Sequence, residues 1–570
     1  MSRRLVWFTS IVAVVYLTDC SGNKAILNDA SVDRPGGSGP GAAGAGGGGG
    51  GGGGGTTGPG TGGGTPSSDG SVIDRGGGAG GAAGTGGTAG TTLPADTGQS
   101  VLERNKHGSR DGHFVQPTLT HARVANMALD AAFTATYKGA LWNVPLYMED
   151  GPGHKGAFFV ATLGNDVAAL DETTGATIWT KNIGPVSPGG PCGGAYNSVA
   201  IFGTPVIDAA SRTLFVAGAT GPGLKFSVHA FSVDDGSERA GWPIDTSQGP
   251  NGFPFGKHNQ RGALSLVNGI LYVPFGGHYG DCNPYQGRVL AIDIKDPTKT
   301  GLFSTKGARG AIWAAGGMAS DGNGVFAITG DGPNGTHQPE DPNGGDSESV
   351  FRLTGMSVID RSPANYYYPA RWKQMDQADN DFGSNSPVFI QVPGATPSGY
   401  VVATAKDGHM AFLDSQRLGG LDGHVVDLMV AQSGMSIHTA AASYTTSKGV
   451  YVIISTDGGA HCPPGSPGGG RAIMSIFVNV TAGKINPAVA WCAPSASVTS
   501  PIATTSDGRA NPIVWFVSNG KLVGVDGDTG KPVANATGNC NGVMRWTSPI
   551  AAKGRIVAGG DGGLCSWSVP

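Results

Sequence analysis

Beyond residue 140 the apolar positions of this chain fall in short runs, rich in β-branched and aromatic side chains, that stop at Gly, Asp or Asn. Leu214-Phe215-Val216, Ile270-Leu271-Tyr272-Val273, Val325-Phe326-Ala327-Ile328 and Tyr451-Val452-Ile453-Ile454 are examples. None continues into an i, i+3, i+4 pattern of useful length, so the periodicity predicts an all-β chain. The stretch ALDETTGATIW, residues 169–179, reads as a hairpin: a strand ending in Asp, a Thr-Gly turn, and a second strand closed by Trp. VGVDGDTGKPV, residues 523–533, writes the same hairpin again. Asp caps such a turn by accepting backbone N–H bonds, and Gly supplies the positive φ that follows. Residues 400–414 carry the first half of the unit, and residues 228–244 and 289–303 carry the second.

A first strand, often marked by a small residue and Pro, precedes each unit near Trp142, Gly203, Arg261, Ala315, Ser384, His438, Thr499 and Thr547. Eight units spaced about 50–70 residues apart have the period of a β-propeller. The last unit, ending at Pro570, has room for only three strands. Residues 124–137, VANMALDAAFTATY, supply a fourth. Closing the ring in this way removes exposed strand edges, whereas a solenoid would leave both ends open. The expected fold is therefore an all-β, eight-bladed propeller of four-stranded blades over residues 97–570, its last blade completed by an N-terminal strand.

These repeats resemble those of the pyrroloquinoline-quinone (PQQ) repeat superfamily, whose pattern is A-[LF]-D-x-x-T-G-x-x-x-W. Further stretches, including NKHGSRDGHFVQPTLTHARV (residues 105–124), WNVPLYMED, FGTPVID and AIWAAGGMASDGNGVFAITGDG, are similar to an exported bacterial subfamily of PQQ-like propellers. The resemblance runs in order over roughly residues 105–570 and implies the same fold. Quinoprotein alcohol dehydrogenases of this superfamily stack the quinone on a disulfide between adjacent cysteines and hold calcium with Glu and Asn beside a catalytic Asp. This chain has no adjacent cysteines and no haem motif. The expectation is accordingly that it takes no cofactor, PQQ with calcium included. Other relatives keep the repeats as binding scaffolds.

The N-terminus changes the picture of where the propeller works. Arg3-Arg4 lead into an apolar run, residues 5–17, and then Thr18-Asp19-Cys20. A run of that length, well short of the roughly 20 residues a spanning helix needs, reads as a secretory signal. Leu17-Thr18-Asp19-Cys20 resembles a bacterial lipobox with Cys20 as the lipidated residue, although Asp19 departs from the usual small residue. Within a Gly-rich stretch over residues 21–96, residues 36–90 consist chiefly of Gly with Ala, Thr, Ser and Pro, and the chain holds 101 glycines in all. Such a tract is a flexible tether with a reach of roughly 40 Å. A net charge of −4 shows no basic footprint, which argues against a nucleic-acid partner.

With Cys20 assigned to lipid, six cysteines remain, an even set that reads as disulfides in an exported chain. Sequence alone allows 15 pairings. Proximity in the propeller favours Cys192–Cys282, Cys462–Cys492 and Cys540–Cys565.

In a propeller, the loops leading into each first strand share one face with those joining second to third strands, and long loops there build a funnel. Long loops follow Gly218 and span residues 276–288, 330–349 and 456–471. They bring forward His258, Arg261, His278, Asp281, Arg309, Trp313, Asp331, Asp346, Asp381, His438, His461 and Arg545 as site candidates. Asp331 and Asp457 precede Gly after strands, which is a turn-capping position. Trp313 and Trp546 stand just before first strands, where they either serve the site or plug the channel. Trp179 matches the repeat motif and is expected between blades. No two His share a tight ligand spacing, so no metal site is predicted. The leading expectation is a monomeric envelope lipoprotein that binds a protein or glycan in its funnel and touches the membrane only through its anchor. The alternatives are a non-quinone polysaccharide lyase or hydrolase and an atypical PQQ-dependent dehydrogenase.

Overall fold

Each predicted unit folds around a small antiparallel sheet of strands that follow one another in sequence, with an added strand from elsewhere in the chain on some blades. In the computed structural model the described residues are 98–189, 198–253, 256–278, 285–330, 332, 345–434, 437–466, 470–496 and 498–570. Blade 1 runs Leu146–Met148, Ala157–Ala161, Asp166–Asp171 and Thr177–Asn182. The first strands of the next seven blades are Val206–Asp208, Ser265–Val267, Ala319–Ser320, Val388–Gln391, Ala442–Thr445, Ile502–Thr505 and Ile550–Ala552. The eight sheets stand in a ring, an eight-bladed β-propeller.

The ring closes as the strand count requires. Asp561–Ser568, the last strand of the chain, pairs antiparallel on its outer side with Ala128–Leu129 and with Thr136–Ala140. Blade 8 is thus completed from the N-terminal side.

The repeat motif earns its residues at the seams between blades. Asp171 accepts the backbone N–H groups of Thr173 and Thr174 at 3.0 and 2.8 Å, capping the turn. Trp179 of blade 1 donates its indole N–H to Val233 O in the corresponding turn of blade 2 at 2.8 Å. Its ring lies so close to Gly236 that a Cβ there would stand 2.6 Å away. Blade 6 repeats the arrangement on blade 7: Trp491 donates to Gly527 O at 2.7 Å and lies against Gly530. The motif is a dovetail in which one blade's Trp rests on the next blade's Gly turn.

The channel is filled by a segment the sequence pattern left unassigned. Residues 98–116 enter it before blade 1 and reach the first strands of every blade. Val101 pairs with Tyr147, and Leu102 O accepts Ile207 N–H at 2.7 Å. Gly108 O, Ser109 O, Asp111 O and Gly112 O accept the N–H groups of Ser320, Phe389, Ser443 and Ala503. His113–Val115 then runs parallel to the first strand of blade 7. Arg110 spans blades 3 and 4 by donating to Leu264 O and Met318 O, both at 2.8 Å. Gln116 accepts Gly554 N–H of blade 8 at 2.8 Å. Three non-glycine residues of the plug, Asn105, Lys106 and Arg110, have positive φ, a conformation that persists only where surrounding bonds over-determine it. The channel is therefore stoppered by backbone, and Trp313 and Trp546 are not its plug.

Two of the expected disulfides form, Cys462–Cys492 and Cys540–Cys565, with Cα separations of 5.7 and 5.8 Å. Cys192 and Cys282 lie outside the described residues.

Candidate functional site

Because each first strand starts at one face, the residues just ahead of it form a rim around the plugged channel. Trp142, Phe202, Arg261, His438 and Trp546 each stand four residues before the first strand of their blades, and Trp313 stands six before its own. The plug turns this rim into a floored cup.

Two arginine–tryptophan platforms dominate the cup. Arg261 donates Nε–H to Trp313 O at 3.0 Å and lies 5.2 Å from the centre of the Trp313 ring. Arg545 lies 6.0 Å over Trp546, whose ring packs 5.4 Å from Trp142. All four platform residues are half-buried. Trp313 precedes blade 4 and Trp546 precedes blade 8, so in a ring of eight the platforms oppose each other across the axis.

Around the first platform sit His278, His258 and Asp381. Burial first, and then the Arg261 charge, push His278 down to about 4, so its ring stays neutral at ordinary pH. Its Nε2 is buried without a partner among the described residues. His258 accepts Arg288 Nε–H at 3.1 Å and meets the edge of Phe253. Asp381 is fully buried, ion-paired with Lys406, and accepts Ser384 Oγ–H at 2.9 Å. Gly330 is small enough to leave the Asp381 carboxylate beside Trp313: a Cβ there would stand 3.0 Å from one and 3.4 Å from the other.

The second platform carries a histidine–carboxylate pair. His438 Nδ1 lies 2.6 Å from Asp457 Oδ2, the same oxygen that accepts Arg545 Nη2. Burial opposes ionisation of Asp457, but the His438 bond and the Arg545 charge hold its carboxyl below the usual range. Asp457 is thus not the simple turn cap its Asp-Gly context suggests. It orients an imidazole whose Nε2 makes no bond to any described residue.

The remaining candidates are placed elsewhere. Asp346 is buried in an ion pair with Arg361 and accepts Lys306 N–H at 2.9 Å, which makes it a structural anchor. Arg309 has positive φ and ties its backbone to Tyr285 O at 2.7 Å. His461 is exposed at the outer edge of blade 5, where its backbone N–H bonds Val430 O beyond the blade's last strand. Asp281 and Asp331 lie outside the described residues. On the opposite face, a depression of about 410 Å³ is lined by Glu103, Lys106, His107 and Glu149. Its charges are already engaged, Glu103 with Arg110 and His107 with Asp111.

Several buried polar atoms of the rim lack a partner among the described residues: Asn143 Oδ1, Gln260 Oε1, Trp313 Nε1 and both Asn385 amide atoms. Native interiors satisfy nearly all such atoms, so a cluster of exceptions marks a place where water or ligand completes the bonding.

No family model matches the chain, and no curated protein matches it in sequence. Solved structures do match in shape. The quinohemoprotein alcohol dehydrogenase from Comamonas testosteroni aligns over 83% of this chain and 81% of its own, with 14% identity and a TM-score of 0.56. A europium-containing methanol dehydrogenase aligns over 81% and 90%, with 15% identity and a TM-score of 0.56. A quinohemoprotein alcohol dehydrogenase from Pseudomonas putida HK5 gives 0.58 at 13% identity over 83% and 80%. The fold is the quinoprotein propeller.

Identity this low establishes the fold alone, and the quinoprotein propeller's cofactor must be judged on the donor set. This chain has no adjacent cysteines for a quinone to stack on. Among the described residues no three His, Cys, Asp or Glu side chains gather as a metal-ligand group. Among the described residues the donor set does not fit PQQ with calcium.

Proposed function

We propose that the protein is a binding module whose floored cup takes an acidic glycan. The observation that carries this reading is the opposed pair of arginine–tryptophan platforms. An indole offers a flat apolar surface to the C–H face of a sugar ring, while a guanidinium forks onto a carboxylate. The unpartnered rim atoms supply hydrogen-bonding for hydroxyl groups. Isothermal titration with oligogalacturonate and with a neutral oligosaccharide of equal length tests it. The acidic chain binds and the neutral one does not. Trp313→Ala or Arg261→Ala weakens binding about tenfold or more, the loss of a buried anchor's 1–2 kcal/mol. Equal binding of both sugars, or unchanged affinity in the variants, refutes the reading, and binding of a protein instead would transfer the platforms to a different partner.

A second reading rests on the His438–Asp457 pair, which has the geometry of an oriented general base. In that reading the cup is a polysaccharide-cleaving site of non-quinone type. New reducing ends or unsaturated uronates that vanish with His438→Ala support it; their absence across a polysaccharide panel leaves binding as the activity.

The module works outside the cytoplasm on a lipid anchor at Cys20. Gly98, where the described chain begins, accepts a bond from Lys106. Its neighbour Gln99 bonds Glu149 and Lys553, which follow first strands and so belong to the face opposite the cup. Cys20→Ala releases the protein into the soluble fraction if the anchor is real, and continued membrane attachment contradicts it.

A further inference from the structure

We propose that the throat of the propeller binds a small monovalent anion on Arg104. Arg104 belongs to the channel plug and is 1% exposed. One terminal nitrogen, Nη2, donates to Trp546 O at 2.8 Å and to Ser500 Oγ at 3.3 Å. Trp546 and Ser500 both precede first strands, so the guanidinium lies directly beneath the cup. The other two nitrogens, Nε and Nη1, are buried without a partner among the described residues.

The charges nearby do not compensate it. Arg110 is the neighbouring ion, and it is also a cation; it holds Glu103 at 2.9 Å and thereby uses that carboxylate. Asp111 is engaged by His107, Ser109 and the His113 N–H. Burial, reinforced by Arg110, pushes Arg104 down to about 9, which still leaves it protonated at neutral pH. A guanidinium cannot escape by losing its proton as a buried lysine does, and an uncompensated buried charge is among the costliest features a fold can carry. The Nε–H and Nη1–H groups leave the guanidinium on different edges, so each takes its own acceptor. A bound anion beside either one supplies the missing charge and one of the missing acceptors.

The anion is either a free ion or the carboxylate of a ligand in the cup, and the two sources separate experimentally. The full-length protein is dialysed into a bulky sulfonate buffer and titrated with sodium formate or sodium chloride at constant ionic strength, while its melting temperature is followed. The wild type rises saturably by about 2 °C or more by ~100 mM formate. Arg104→Met shows no rise, and without small anions it melts at or above the wild type because the unpaired charge is gone. Chloride-35 NMR provides a readout that needs no variant: the wild type broadens the line, and formate reverses the broadening. A response to oligogalacturonate but not to formate, lost in Arg104→Met, assigns the site to a ligand's carboxylate. A wild type that gains stability from none of formate, chloride and oligogalacturonate and does not broaden chloride, or a variant that responds as the wild type does, overturns the proposal. Formate and chloride do not probe the tryptophan platforms, so failure here leaves the glycan reading standing, and failure of that reading leaves this one standing.

Discussion

Asp376 sits on a short helix, Trp372–Ala378, where 4% of it is exposed and its carboxylate accepts Gly332 N–H at 2.8 Å. Burial pushes its pKa up to about 6, and the Gly332 bond only partly offsets that. The folded state therefore holds the proton more tightly than the unfolded chain does, so ionisation destabilises the fold as pH rises from about 4 through 6. Asp376→Asn should raise unfolding stability by roughly 1–3 kcal/mol at pH 8 and leave it unchanged at pH 4, as measured by denaturant titration. A gain that persists at pH 4 would point to another cause. At this scale the sequence was only partly legible. Arg261, Trp313, His438 and Arg545 could be picked out because a residue just ahead of a first strand has a fixed place in a propeller. Asp457 looked like a turn cap because its partners, His438 and Arg545, lie 19 and 88 positions away. His461 was drawn toward the funnel by its loop, yet backbone pairing with Val430 holds it at the outer edge of blade 5.

Hairpins were the most legible elements, because Asp, Thr-Gly and Trp each perform a local task that leaves a local signature. The dovetail those residues make is testable. Gly530 has φ +71° and would carry a Cβ 2.6 Å from the Trp491 ring. Gly530→Ala should cost about 1–3 kcal/mol from strain and overlap. Trp491→Ala should cost about 3–5 kcal/mol through the cavity it leaves. The double variant should lose less than the sum, since removing the indole removes the clash. Strict additivity by denaturant titration would show that the two do not meet. The channel plug was illegible for the opposite reason. Its backbone follows no period, turning at Asn105, Lys106 and Arg110, and its bonds go to strands hundreds of residues away. No hydrophobic pattern encodes a segment whose partners are carbonyl and amide groups.

At the scale of the molecule, ring closure and the plug act together. The strand count of the last unit foretold a closing strand from residues 124–137, and the pairing of Ala128–Leu129 and Thr136–Ala140 with Asp561–Ser568 meets it. The plug then decides what kind of site the ring presents, a cup with a floor rather than a through-channel. If the opposed platforms are the binding surface, ligand contact is confined to one face. Hydrogen–deuterium exchange with and without saturating oligogalacturonate measures this most directly. Exchange should slow in the segments around Trp313 and around Arg545-Trp546, with no change at Glu149, Lys553 and the other turns of the opposite face. Protection confined to that opposite face, or none anywhere at saturation, would contradict it.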